Sequence, residues 1–192
     1  MTYKIAHLAD VHIKNLKYHY EYRHVFNQLY AILRKNEVDY IYIGGDIAHT
    51  KTQISPEFVQ LCSELFTNLA EIAPLYIILG NHDGNLRNKS RQDAITPIVN
   101  ALDNPNIHLL AAAGETIVTD DLAFNVLSVF DEDNWVKPSS EDRINIAFYH
   151  GCVAGVQTDA GWVMEYGDHD VSIFAGHDFA MLGDIHKTNQ IL

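Results

Sequence analysis

Three short apolar runs each end in side chains able to bind cations or phosphates. Ile5-Ala6-His7-Leu8-Ala9 leads into Asp10-Val11-His12. Tyr40-Ile41-Tyr42-Ile43 leads into Gly44-Gly45-Asp46-Ile47-Ala48-His49, and Leu75-Tyr76-Ile77-Ile78-Leu79 into Gly80-Asn81-His82-Asp83. Such runs read as buried strands. Between them lie two helical patterns. In 18–35, Tyr22, Val25, Phe26, Leu29 and Ile32/Leu33 recur at near-helical spacing. The second, 55–72, opens with Ser55 as N-cap and Pro56-Glu57 in the first turn, and Pro74 ends it. Strands 3–9, 39–43 and 75–79 with these helices give β-α-β-α-β, the order of a layered α/β domain with right-handed crossovers. Parallel strands would gather the three polar junctions at one sheet edge.

The second half changes pattern. Residues 90–102 read as a helix interrupted by Pro97. Three closely spaced strands, 107–110, 116–119 and 122–129, with Asp120-Asp121 as a turn, predict an antiparallel addition or a second sheet. A charged loop at 131–143 precedes strand 144–149, which ends at His150. A helical turn at 171–174 and a strand at 179–182 then deliver Gly183-Asp184-Ile185-His186. At 192 residues and 47% hydrophobic, the chain can build one full core, or one domain and part of another. No apolar run approaches the roughly 20 residues of a membrane span, and the N-terminus reads as a strand, not a signal peptide. Cys62 and Cys152 have neither zinc nor redox spacing, so both are expected to be packing thiols in a reducing, cytoplasmic setting. The formal charge of -12 argues against a generic basic nucleic-acid-binding module. It leaves room for a nucleic-acid enzyme, because bound cations turn an acidic pocket locally positive and a partner subunit can supply a basic groove.

The chemistry-bearing residues form a set. Asp10 and His12 are two apart, which on an extended backbone places both on one face, and Asp184 and His186 repeat the spacing. Asn81 and His82 are adjacent and should diverge, so that one could hold a metal while the other faces substrate. Asp10, His12, Asp46, Asn81, His150, Asp184 and His186 offer oxygen and imidazole donors, a mixture suited to Mn2+, Fe2+ or Zn2+. A two-metal site needs a ligand shared between ions about 3.5–4 Å apart. A carboxylate bridges readily and an imidazole does not, which points to Asp46. Each motif alone reads equally well as turn or capping chemistry; their recurrence after apolar strands favours a metal centre. His7, His19, His24 and His108 are expected to be structural or solvent-facing.

Asp10-x-His12, Gly45-Asp46, Gly80-Asn81-His82-Asp83, His150-Gly151 and a closing Gly-x-x-His at 183–186 resemble the calcineurin-like metallophosphoesterases, in order over essentially the whole chain. Leu8-Ala9-Asp10-Val11-His12, Gly45-Asp46-Ile47-Ala48-His49 and Phe179-Ala180-Met181-Leu182-Gly183-Asp184-Ile185-His186-Lys187 look most like the double-strand-break repair nuclease branch, the SbcD-like exonuclease subunits, including forms from large viruses and phages. The resemblance implies a layered metallophosphoesterase sandwich, with a βαβαβ N-terminal half and mixed or antiparallel strands in the second half. It implies two divalent ions, best Mn2+, with Mg2+, Fe2+ or Zn2+ as alternatives. One ion would sit among Asp10, His12, Asp46 and His186, the other among Asp46, Asn81, His150 and Asp184. His82 would contact the scissile phosphate, and His49 would help position or process nucleic acid. The reaction would be hydrolysis of DNA phosphodiesters by a water that the two ions activate.

One position departs from the family, which usually closes with Gly-His-x-His: Asp184 fills the first histidine slot. A carboxylate still suits Mn2+. His177, in Gly176-His177-Asp178, precedes strand 179–182 and so is a poor substitute. The resemblance further implies that residues 1–192 form one nuclease domain without the C-terminal cap and ATPase-binding regions. It implies DNA, an SMC-like ATPase and a second copy as partners, no membrane, and a location inside the cell, or the host cell for a viral form. Its rivals are a phosphomonoesterase, protein phosphatase or cyclic-nucleotide phosphodiesterase of the same superfamily, and a non-catalytic scaffold.

Overall fold

The computed structural model describes residues 2–14, 16–52, 54–88, 90–155, 163, 165 and 167–185. Eight strands form two sheets. The first is wholly parallel, in the order β1 (Ile5–Leu8), β2 (Tyr40–Gly44), β3 (Leu75–Ile78), β4 (Ile107–Leu109). The second runs β5 (Gly114–Thr119), β6 (Leu122–Leu127), β7 (Ile144–His150), β8 (Phe179–Gly183). Here β5 is antiparallel to β6, and the remaining pairs are parallel. Helices α1 (His19–Asn36), α2 (Pro56–Ala70) and α3 (Thr96–Leu102) connect the strands of the first sheet. This is the layered α/β sandwich expected, with a mixed second sheet. Among the described residues no helix is long and apolar enough to cross a membrane.

Side-chain alternation divides the core in two. On β2 and β3, Ile41, Ile43, Leu75 and Ile77 face the helices, where they pack with Phe26, Leu33, Leu61, Leu65 and Phe66. Cys62 is a free thiol in this same core, and burial raises its pKa well above the usual value. Tyr42, Tyr76 and Ile78 point the other way and meet Phe124, Val126, Ile146 and Phe148 of β6 and β7. Tyr42 stacks on Phe148 with ring centroids 3.8 Å apart, and Phe124 contacts Tyr76 edge-on at 4.8 Å. This aromatic layer fixes one sheet on the other, and hence the ends of β1, β2 and β3 against those of β7 and β8.

Two expectations are corrected. The strand at 107–110 is not part of the second sheet; it is β4, pairing parallel to β3 with Leu75 opposite Ile107. A strand reached through a crossover helix returns parallel, and α3 is such a helix. That helix begins at Thr96 rather than 90. Pro97 lies in its first turn, where its missing N–H costs nothing, and so does not interrupt it. The Asp93 carboxylate accepts the Ile95 and Thr96 N–H groups and the Thr96 hydroxyl at the helix start.

Phe124 is fully buried in the inter-sheet layer. Phe124→Ala is expected to cost about 3–5 kcal/mol, read as a lower urea midpoint at unchanged slope. Ile117→Ala, at a position 54% exposed on β5, should stay within about 0.5 kcal/mol of wild type.

Candidate metal centre

The loops after β1 and β2 run side by side. Asp10 N–H donates to the Gly45 carbonyl, His12 N–H to Asp46 and Ile13 N–H to Ile47, at 3.2, 2.9 and 2.8 Å. The other loops are tied to these. Asp83 is fully buried; its Oδ1 accepts the Ala48 N–H at 2.8 Å and its Oδ2 the Gly80 N–H at 2.9 Å. His150 Nδ1–H donates to the Gly44 carbonyl at 2.6 Å. Asp184 N–H donates to the Asp10 carboxylate at 3.1 and 3.2 Å. Close approach is possible because Gly80 and Gly183 lack side chains: a Cβ on Gly80 would overlap Asp46 Oδ1, and one on Gly183 the Gly44 carbonyl.

Asp10, His12, Asp46 and Asp184 have φ of 56°, 45°, 54° and 71°. The extended two-residue argument for Asp10 and His12 therefore fails. Their side chains converge because the backbone curls through the left-handed region, at about 1–2 kcal/mol per residue, held by the interloop hydrogen bonds. Strain at several neighbouring residues marks a functional site.

Two groups of donors meet here, with the ligand atoms in each within 4.8 Å of one another: His12, Asp46 and His82, and Asp10, Asp46 and His150. Asp46 belongs to both. It is 1% exposed, with Oδ2 3.6 Å from His12 Nε2 and Oδ1 3.3 Å from His150 Nε2. His82 N–H donates to Oδ1 at 2.8 Å. Burial pushes the Asp46 pKa up, but His150 and the His82 amide outweigh it and hold the group ionised. Burial pulls His150 down, yet Asp46, the Gly44 carbonyl and Asp10 raise it to about 9. The site thus draws positive charge. Asp46 Oδ2, Asn81 Oδ1 and His150 Nε2 are buried without a hydrogen-bond partner among the described residues. Buried polar atoms are seldom left so, and all three are good ligand atoms for a hard or borderline cation. With Nδ1–H committed to a carbonyl, a neutral His150 offers the Nε2 lone pair, the usual arrangement of a ligating histidine. The donor set fits two divalent cations.

Asp10, His12, Asp46 and His150 supply donors to the two groups, and Asn81, next to His82 in the chain, has a buried Oδ1. His82 is exposed at its rim; Nδ1–H donates to the His49 carbonyl at 2.7 Å. The His49 and His12 rings lie 5.7 Å apart, and His82 and His12 5.0 Å. Asp184 sits beside Asp10 through its backbone but belongs to neither group of donors among the described residues. His186 lies outside the described residues. His177 precedes β8, at the other end of that strand from Asp184. Asp83 went unassigned in the sequence. Its burial raises its pKa to about 7 despite the two amide bonds. Its place three residues after Gly80 was the available signal, since an aspartate there can accept that N–H.

Residues 3–187 match the family described as calcineurin-like phosphoesterase. Protein R555 of Acanthamoeba polyphaga mimivirus is 39% identical over 198 residues, covering 95% of this chain and 14% of that protein. The chain thus spans only a small part of that relative's length. The crystal structure of Pseudomonas putida nuclease MPE shares 20% identity at a TM-score of 0.40, over 79% of this chain and 62% of that one. The chain belongs to the calcineurin-like phosphoesterases. Its structure carries two candidate cation sites that share Asp46.

Asp83→Ala leaves the buried Ala48 and Gly80 amides without their acceptor. It should lose about 3 kcal/mol in urea unfolding and lower metal affinity, although Asp83 belongs to neither group of donors.

Proposed function

We propose that the chain hydrolyses phosphodiester bonds in DNA with two divalent cations, Mn2+ serving best. The observation that carries this reading is the shared, buried Asp46 with the His49–His82 pair above it. Bound cations would neutralise phosphate oxygens and lower the pKa of the attacking water. The residues would do the rest. Asp46 would be shared by the two ions. Asp10, His12 and His186 would complete one ligand set, and Asn81, His150 and Asp184 the other. His82, its Nδ1–H fixed on the His49 carbonyl, turns Nε2 toward the phosphate and compensates charge on the leaving oxygen. His49 positions the strand.

The DNA assignment draws on the Leu8–His12 and Gly45–His49 blocks, which resemble the repair nuclease branch. It also draws on the loop cations. Among the described residues the one Lys or Arg ion pair is Arg23–Glu64, which leaves Lys14, Lys51, Arg87 and Arg91 able to meet phosphates. Lys51 Nζ already lies 3.3 Å from the Asn81 carbonyl at the site edge. An SMC-like ATPase, a second copy of the chain and a viral origin belong to the same reading.

Chelator-treated protein should be inactive and recover best with Mn2+. It should then cut linear DNA and a bis-ester reporter at least tenfold faster than a mono-ester. A mono-ester preference would make it a phosphomonoesterase instead, and no hydrolysis of any ester would make it a scaffold. By elemental analysis His82→Ala should keep both ions while kcat falls about 100-fold; Asp46→Ala should weaken or lose both.

A further inference from the structure

An open groove of about 520 Å3 lies among Val11, Lys14, Tyr18, Tyr22, Val25 and Phe26, with Glu21 on its wall. Val11 stands between Asp10 and His12 in the chain, so the groove begins one residue from the donor set. Tyr22 joins the two: its hydroxyl donates to the His12 carbonyl at 2.7 Å and accepts the Lys14 N–H at 3.3 Å. The volume is that of a small-ligand site. Its rim combines aromatic surface with positive charge. Tyr18 is 40% and Val25 56% exposed, and the Lys17 ammonium lies over the Tyr18 ring, 4.7 Å from its centroid. In a chain of formal charge -12, Lys14 and Lys17 together at this rim run against the general balance and complement a phosphate chain. Exposed rings beside ammonium groups hold unpaired nucleic-acid strands, the bases stacking while the cations meet the backbone.

We infer that this groove is a base-binding subsite. It takes the nucleobase next to the phosphate at the metal centre, stacked on Tyr18, with Lys14 on the adjoining phosphate and Glu21 as acceptor for a base amino group. A strand must be unpaired or frayed to place a base there, so the subsite selects single-stranded ends. The inference rests on the phosphodiester reading above.

Binding can be tested apart from hydrolysis with ten-nucleotide, phosphorothioate-linked strands, one carrying bases and one abasic, added to the Mn2+-loaded full chain. Wild type should bind the base-bearing strand about tenfold more tightly, in line with stacking on one ring. Tyr18 makes no side-chain cap at the start of α1, so Tyr18→Ala should leave the helix intact and reduce the preference below threefold. Tyr18→Phe should keep it, and Val25→Glu should abolish it. Equal binding of the two strands by wild type, or an undiminished preference in Tyr18→Ala, overturns the inference. So does a dimer that Val25→Glu dissociates when no base preference is seen, because a second copy then fills the groove. The bis-ester reporter tests the reaction separately: failure to cut it rejects the phosphodiester reading and leaves the base preference to stand or fall by the binding data.

Discussion

One buried carboxylate organises this molecule. Asp46 is almost wholly removed from water, and a carboxylate in such a place is tolerated only when charge and hydrogen bonds compensate it. Here the compensation comes from three directions at once: the His82 amide, His150 from the second sheet and His12 from the neighbouring loop. One oxygen still lacks a hydrogen bond among the described residues. The raised pKa of His150 lets its proton supply positive charge; a pair of divalent cations would supply it far better. The left-handed backbone at Asp10, His12, Asp46 and Asp184 makes sense in the same terms, as strain that a tight donor cluster requires.

The fold explains how five chain segments meet at one site. Parallel strands end on the same side of a sheet, so β1, β2 and β3 deliver their loops together. The Tyr42–Phe148 stack sets the second sheet so that β7 and β8 end beside them, placing His150 under Gly44 and Asp184 against Asp10. Loss of register in either sheet would move a donor by a residue and turn its side chain to the other face.

Much of this was legible in the chain. Apolar runs ending in Asp, His or Asn located every strand that feeds the site, and Asp46, singled out because a carboxylate can span two ions, is the residue common to both groups of donors. What the sequence could not convey was backbone geometry. Asp10 and His12 converge through positive φ, which no alternation pattern encodes. β4 was grouped with the strands of an antiparallel addition or second sheet because a short apolar run carries no mark of its partner, and Pro97 reads alike whether it starts a helix or interrupts it. Asp83 was overlooked because its role is to hold two amides, a task visible only once the loops are seen side by side. The same holds for Tyr22, whose helical spacing speaks of packing while its hydroxyl reaches the His12 carbonyl.

The central claim is that Asp46 joins two cations. Anomalous diffraction from crystals grown with Mn2+ tests it most directly. The account predicts two manganese peaks about 3.5–4 Å apart, each in direct contact with an Asp46 oxygen, with His150 Nε2 and Asn81 Oδ1 on the same ion. A single peak, or two peaks of which one has no Asp46 oxygen in its coordination shell, would contradict it.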